Sequence, residues 1–136
     1  MNYKNIQTVE DAASAIGVKL LTEEEHRLAT GLPEGRMARN NYLHYLLTIV
    51  CRAINGEWEA DWDSNEFIGQ ILYYVPARLG HAAHGATAGL RCLGSIFGPS
   101  YARAHCGVSL ALKDYERCLF VMENFRDLWI EYLTGK

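Results

Sequence analysis

The chain has 136 residues, of which 49% are hydrophobic and 21% are charged, and its formal net charge is -3. This length fits one domain that folds around its own apolar core, and the composition excludes intrinsic disorder, collagen-like repeats and coiled coils. Because thirteen Lys and Arg residues are scattered among sixteen Asp and Glu residues, we expect no binding to nucleic acid or to anionic membranes through bulk charge.

Two short helices are predicted near the beginning of the chain. Thr8 has the features of an N-cap, and the helix that follows it ends at Gly17. Thr22 and Glu25 form a capping box that opens a second helix, which ends at Gly31. Because this second segment is polar, we expect it to be mostly exposed.

Two long helices are predicted from apolar residues at helical spacing. The first covers residues 36–54 and ends at Asn55-Gly56, and the second covers 114–133 and begins at an Asp114 cap. Both have an apolar face wide enough to form most of a core.

The middle of the chain predicts a small antiparallel sheet. Residues 67–75 are rich in β-branched and aromatic side chains, and the stretch 76–107 is too dense in glycine for long helices. Strands are predicted at 67–75, 90–97 and 107–113, and the last two form a hairpin. The predicted fold is therefore a single α+β domain over 1–136, with two long helices packed on this sheet.

The N-terminal stretch, the length of the apolar stretches and the cysteine spacing predict a soluble, cytoplasmic protein. The N-terminal stretch lacks the basic and then apolar order of a secretory signal, and residues such as Arg52 interrupt the apolar stretches well short of a membrane span. The cysteines are widely spaced, so we expect reduced core thiols rather than a disulfide framework. They are Cys51, Cys92, Cys106 and Cys118.

Three stretches of the sequence stand out together, namely TVEDAASAIG, INGEWEADWDSNE and GVSLALKDYERCLFVMENFRDLWIEYL. They resemble a family of small proteins of unknown function from phages and phage-derived regions of Bacteroides-type gut bacteria. The resemblance covers the order of elements over nearly the whole chain, and its specific motif is the turn that holds Trp58, Asp61 and Trp62. The sequence departs from the family pattern after Glu66 and again over 76–107.

The resemblance implies a genomic origin and a fold, and it names no reaction. The first hypothesis for the function is therefore a non-enzymatic, phage-type accessory protein that acts by binding or assembly, in the host cytoplasm or in the virion. The tryptophan turn then either covers the edge of the core or forms a partner contact. Because eight tyrosines and three tryptophans exceed what a small core hides, we also predict a homo-oligomer.

Arginines in the glycine-rich stretch support a second hypothesis, a module that sequesters a small anionic, nucleotide-like ligand. Backbone amides there can form a nest for an anion, and Arg78, Arg91 and Arg103 supply positive charge. The glycine spacing does not match a phosphate-binding fingerprint, so a set of tight β-turns is the simpler interpretation.

Histidine and cysteine side chains support a third hypothesis, a metal-assisted hydrolase. His81, His84, His105 and Cys106 offer four potential zinc ligands, and a neighbouring imidazole can activate a thiol as a nucleophile. Their spacing is not that of a four-ligand zinc site, and adjacent residues on a strand point to opposite faces. We therefore expect polar surface histidines, with no metal and no other cofactor.

Overall fold

The computed structural model describes residues 2–58, 72–74, 93–95, 110 and 112–135. A 3-10 turn at Tyr3–Asn5 precedes the helices of this part, which are Val9–Ala15 (α1), Glu23–Thr30 (α2), Arg36–Asn55 (α3), Tyr115–Asn124 (α4) and Arg126–Thr134 (α5). Strands Leu72–Tyr74 (β1) and Leu93–Ser95 (β2) pair antiparallel. No helix in these described ranges is long and apolar enough to cross a membrane.

The prediction of an α+β domain built on a three-stranded sheet is wrong, because the described part of the chain is mostly helical. Residues 93–95 pair with 72–74. Most of the predicted hairpin partner, 107–109 and 111, lies outside the described residues. Leu110 and Leu112 alternate like residues of a half-buried strand, yet both are fully buried in the helical core. A short alternating apolar run does not distinguish a strand from an irregular buried segment.

The predicted cap of α1 is confirmed, and it places a small-residue helix against α3. The Thr8 hydroxyl accepts a hydrogen bond from the Asp11 N–H at 3.0 Å, and the Asp11 carboxylate accepts one from the Thr8 N–H at 3.1 Å. This reciprocal pair satisfies amides that the first helical turn leaves without partners. Ala12 and Ala13 are buried, so α1 approaches α3 closely.

The predicted exposed helix is also confirmed as α2. Thr22 and Glu25 form the capping box, and Gly31 ends the helix in the left-handed conformation with a φ of 74°. None of the residues of α2 is buried. Its attachment to α3 therefore depends on polar and aromatic contacts rather than on a shared apolar core.

Helix α3 is the predicted first core helix, and it lies at the centre of the described structure. Its fully buried side chains recur at helical spacing and include Leu43, Leu47, Val50 and Ile54. α1, α2, α4 and α5 all contact it. Gly56, with a φ of 63°, follows its last residue, as the sequence predicts.

The predicted helix over 114–133 is wrong as a single element, because the chain leaves the helical path at Phe125. This residue has φ -123° and ψ 28°, and its side chain is buried in the core. Its N–H donates to the Val121 carbonyl, and its carbonyl accepts from the Trp129 N–H. The break therefore joins α4 and α5 with little loss of backbone hydrogen bonds, and both helices contact α3. The Asp114 cap is confirmed.

Cys51 and Cys118 are buried thiols in the core, as predicted for them. The other two, Cys92 and Cys106, lie outside the described residues.

Candidate functional site

A cavity of about 480 Å³ opens beside the C-terminal end of α3. Its inner wall is apolar and consists of Ile6, Ala15, Ile16 and Ala53, and its outer residues are Arg52, Gly56, Glu57 and Trp58. We call this space the Trp58 cavity, because the half-buried indole is its largest side chain.

The backbone after α3 fixes the position of Trp58. The Gly56 N–H donates to the Ala53 carbonyl at 3.2 Å, and the positive φ of Gly56 turns the chain back on itself. The Trp58 N–H then donates to the Asn55 carbonyl, also at 3.2 Å. The Asn55 side chain accepts a hydrogen bond from the Lys113 N–H at 2.9 Å. The turn is thereby anchored both to α3 and to the segment that leads into α4.

The inner wall of the cavity comes from two segments that are distant from Trp58 in sequence. Ile6 follows the 3-10 turn, where its N–H donates to the Tyr3 carbonyl at 3.0 Å, and its side chain is buried. Ala15 and Ile16 lie at the end of α1, where both are half-buried and pack against the core. The N-terminal turn, the end of α1 and the end of α3 therefore meet at one place.

Two opposite charges lie at the mouth of the Trp58 cavity. Arg52 is exposed in the last turn of α3, where the negative end of the helix dipole favours a cation. Glu57 is exposed in the turn that follows. Within the described part of the chain, neither side chain has an ion-pair partner. An apolar pocket with an aromatic wall and a charged mouth has the composition of a protein contact surface.

A second polar cluster lies at the other end of α3, and its charges are paired. Arg39 donates from Nε and Nη2 to both carboxylate oxygens of Glu131, at 2.6 and 2.7 Å, and from Nη1 to Glu23 at 2.8 Å. These hydrogen bonds hold the pKa of Glu131 below its usual range and raise that of the Arg39 guanidinium. The cluster thus joins α2 and α5 to α3.

Aromatic side chains of α3 hold the segment before α2. The Tyr42 hydroxyl donates to the Leu21 carbonyl at 3.0 Å, and the Leu21 N–H donates to the Tyr45 oxygen at 3.0 Å. The His26 ring lies 4.7 Å from that of Tyr45. Burial raises the pKa of Tyr42. This arrangement positions α2, although within the described part of the chain His26 Nδ1 is buried without a hydrogen-bond partner.

Of the side chains that the sequence singles out for function, Trp58 is described, and it lines the cavity. Its partners in the tryptophan motif, Asp61 and Trp62, lie outside the described residues. So do the proposed anion ligands Arg78, Arg91 and Arg103 and the proposed metal ligands His81, His84, His105 and Cys106. Where residues are described, no group of three or more His, Cys, Asp and Glu side chains is arranged to hold a metal. The ligand and metal hypotheses stay predictions.

Sequence reasoning missed most of the cavity. Ile6 and Ile16 have only the apolar character of ordinary core residues, and Arg52 resembles any exposed helical arginine. The one available signal is the Asn55-Gly56 stop, which ends a long core helix two residues before Trp58.

No protein-family model, no curated protein and no solved structure matches the chain. The Trp58 cavity and its two charges are therefore the features from which a function is inferred.

Proposed function

We propose that this chain is a non-enzymatic, phage-type accessory protein that acts by binding or assembly, and that the Trp58 cavity is its contact surface. The observation that supports this proposal is a half-buried indole beside an open space with an apolar inner wall. Tryptophan brings a large apolar area with little conformational freedom to lose, and it is enriched among residues that dominate binding energy.

The alternative role for Trp58 is to cover the edge of the core, and two features favour contact instead. Among the described residues, neither the buried core nor the side chains packed against it include Trp58, and Trp129 is the fully buried indole. A side chain that sealed the core would also fill the space beside it, whereas about 480 Å³ stays open here.

We propose a second copy of the chain as the occupant, which makes the protein a homo-oligomer. Both charges at the mouth of the cavity are available to a partner, and their opposite signs suit a partner with the same surface. Apolar burial supplies most of the affinity of such contacts. The eight residues that line the cavity are fewer than the roughly 20–30 that each side of a standard interface contributes, so we expect a concentration-dependent equilibrium.

The test is sedimentation velocity of the wild type and Trp58→Ala over a range of concentrations. We expect the wild type to gain mass as its concentration rises and Trp58→Ala to stay monomeric. Tyr115→Ala is the control, because Tyr115 is an aromatic residue with 50% of its surface accessible that lies on α4 and does not line the cavity. Its association should equal that of the wild type.

Urea unfolding of the same variants checks that each protein is folded. A wild type that stays monomeric at high micromolar concentration would contradict self-association through the cavity. Association of Trp58→Ala with the wild-type constant would contradict the role of the indole.

A further inference from the structure

The Trp58 cavity has one cationic and one anionic residue in its lining. Arg52 and Glu57 line the same cavity and are both exposed, yet within the described residues each lacks an ion-pair partner. A cation and an anion are thus presented together at the mouth of one apolar pocket.

A two-fold axis makes such a surface complementary to itself. In a symmetric dimer the same patch meets itself, so that a residue i contacts a residue j of the partner and j contacts i. A patch of one sign repels its copy, whereas a patch with one charge of each sign can place each cation opposite an anion. The pair Arg52 and Glu57 has this property.

We infer that two copies of the chain meet at their Trp58 cavities about a two-fold axis, with Arg52 of each protomer paired to Glu57 of the other. Each protomer packs Trp58 against the apolar wall of its partner's cavity, so the site is complete only in the dimer. This inference rests on the proposed function, and it adds the symmetry and the residues that set the orientation.

The two parts of the contact have different physical roles. The exposed part of the half-buried indole brings apolar area to the contact and supplies affinity. Exposed ion pairs contribute little net affinity, but they penalise arrangements in which like charges meet, and so they fix orientation. Reversal of one charge should therefore be more disruptive than its neutralisation.

Charge reversal in pairs tests the arrangement. Arg52→Glu alone places two acidic pairs across the axis, and Glu57→Arg alone places two basic pairs there. We expect each single variant to dimerise about tenfold more weakly than the wild type. The double variant Arg52→Glu/Glu57→Arg restores both pairs with exchanged positions, and its dimerisation constant should return to that of the wild type. Arg52→Gln, which only removes charge, should have a smaller effect.

A mixing experiment is the sharper measurement. When the Arg52→Glu protein is combined with the Glu57→Arg protein, one protomer offers two anions and the other two cations, so the mixed dimer has both pairs. Native mass spectrometry of the two proteins, one of them isotopically labelled, should show a heterodimer in excess of either homodimer. Arg126→Glu is the control, because Arg126 is exposed, makes only a 3.8 Å contact with Asp127 and lies outside the Trp58 cavity.

The outcomes separate this inference from the proposed function. One outcome is that Trp58→Ala abolishes dimers while neither the charge-exchanged double variant nor the mixture of single variants restores them. In that case the two-fold arrangement is wrong, whereas the proposal that the Trp58 cavity is a contact surface is supported. Single reversals that leave dimerisation unchanged would also overturn the arrangement. A wild type without self-association would overturn both proposals.

Discussion

Among the polar side chains of the described helices, Arg39 is the one whose removal should lower the free energy of unfolding most. Its guanidinium binds both oxygens of Glu131 on α5 and one oxygen of Glu23 on α2. Arg39→Ala removes every one of these bonds, and leaves two carboxylates without their cation. Arg39→Lys keeps the charge but loses the planar fork that matches a carboxylate.

The expected cost follows from the geometry and the exposure of the three side chains. Hydrogen bonds to charged groups contribute about 1.5–3 kcal/mol in favourable settings, and fully exposed ion pairs contribute about 0.2–1 kcal/mol. The side chains of Arg39 and Glu131 are 38% and 27% accessible, which is between these limits, and that of Glu23 is 47% accessible. We expect Arg39→Ala to lower the free energy of unfolding by about 2 kcal/mol and Arg39→Lys by about 1 kcal/mol.

Urea unfolding followed by circular dichroism measures this loss. A double-mutant cycle of Arg39→Ala with Glu131→Ala isolates the pair, and we expect a coupling free energy of about 1 kcal/mol. Arg126→Ala is the matched control, because the Asp127 side chain that it approaches is 97% accessible. The control should change the free energy of unfolding by less than about 0.5 kcal/mol.

The reasoning would be refuted by an Arg39→Ala protein as stable as the Arg126→Ala control. It would also be refuted by a cycle in which the Arg39 and Glu131 substitutions are simply additive, because two side chains joined by two hydrogen bonds cannot be energetically independent.

Three further changes test the caps and the pH dependence. Gly135→Ala and Gly17→Ala should each lower the free energy of unfolding by about 1–2 kcal/mol in urea unfolding, because both glycines have positive φ. The excess for Gly135→Ala should be small: a Cβ there would lie 2.8 Å from the end of the exposed Arg36 side chain, which can move aside, whereas Gly17 faces open space. Thr8→Ala should cost about 1 kcal/mol in the same assay, and Thr8→Ser should cost much less because it keeps the capping hydroxyl. The lowered pKa of Glu131 contributes stability that is present above the usual carboxyl range and is lost as the pH falls through the folded-state pKa, so Glu131→Gln should reduce the loss of stability between neutral and acidic pH.

The helices were predictable where a local signal fixed their ends. Thr8 and Thr22 show their capping partners three positions later, and Gly31 ends α2 in a conformation that few other residues adopt. The break at Phe125 has no such signal, because no proline or glycine stands there and the apolar spacing continues across it. Tertiary packing decides it, since the ring of Phe125 is buried in the core.

Two of the predicted strands, 67–75 and 90–97, contain β1 and β2, whereas Leu110 and Leu112 of the predicted strand 107–113 belong to neither. Alternation of Leu110 and Leu112 with smaller or polar residues satisfies the pattern of a half-buried strand, but this pattern is short and contains no information about neighbouring segments. Both leucines belong to the core cluster to which α3 and α4 also contribute, and the Cys51 thiol of α3 contacts the Leu110 carbonyl at 3.8 Å. The Trp58 cavity was unpredictable in the same way, because Ile6 and Ile16 reach it only through the tertiary fold.

We expect the two ends of α3 to have different roles, one in the stability of the fold and the other in self-association. Arg39 lies near the first turn of this 20-residue helix and Trp58 just beyond its last turn, so the two are separated by roughly 25 Å at 1.5 Å per residue. Sites this far apart with no shared partner behave independently. Loss of Arg39 should therefore reduce the free energy of unfolding without changing the dimerisation constant of the folded protein, and loss of Trp58 should do the reverse. A double variant that shows the sum of both effects, by urea unfolding and by sedimentation, would assign the two ends of α3 to these two roles, whereas strong non-additivity would mean that the helix transmits a change from one end to the other.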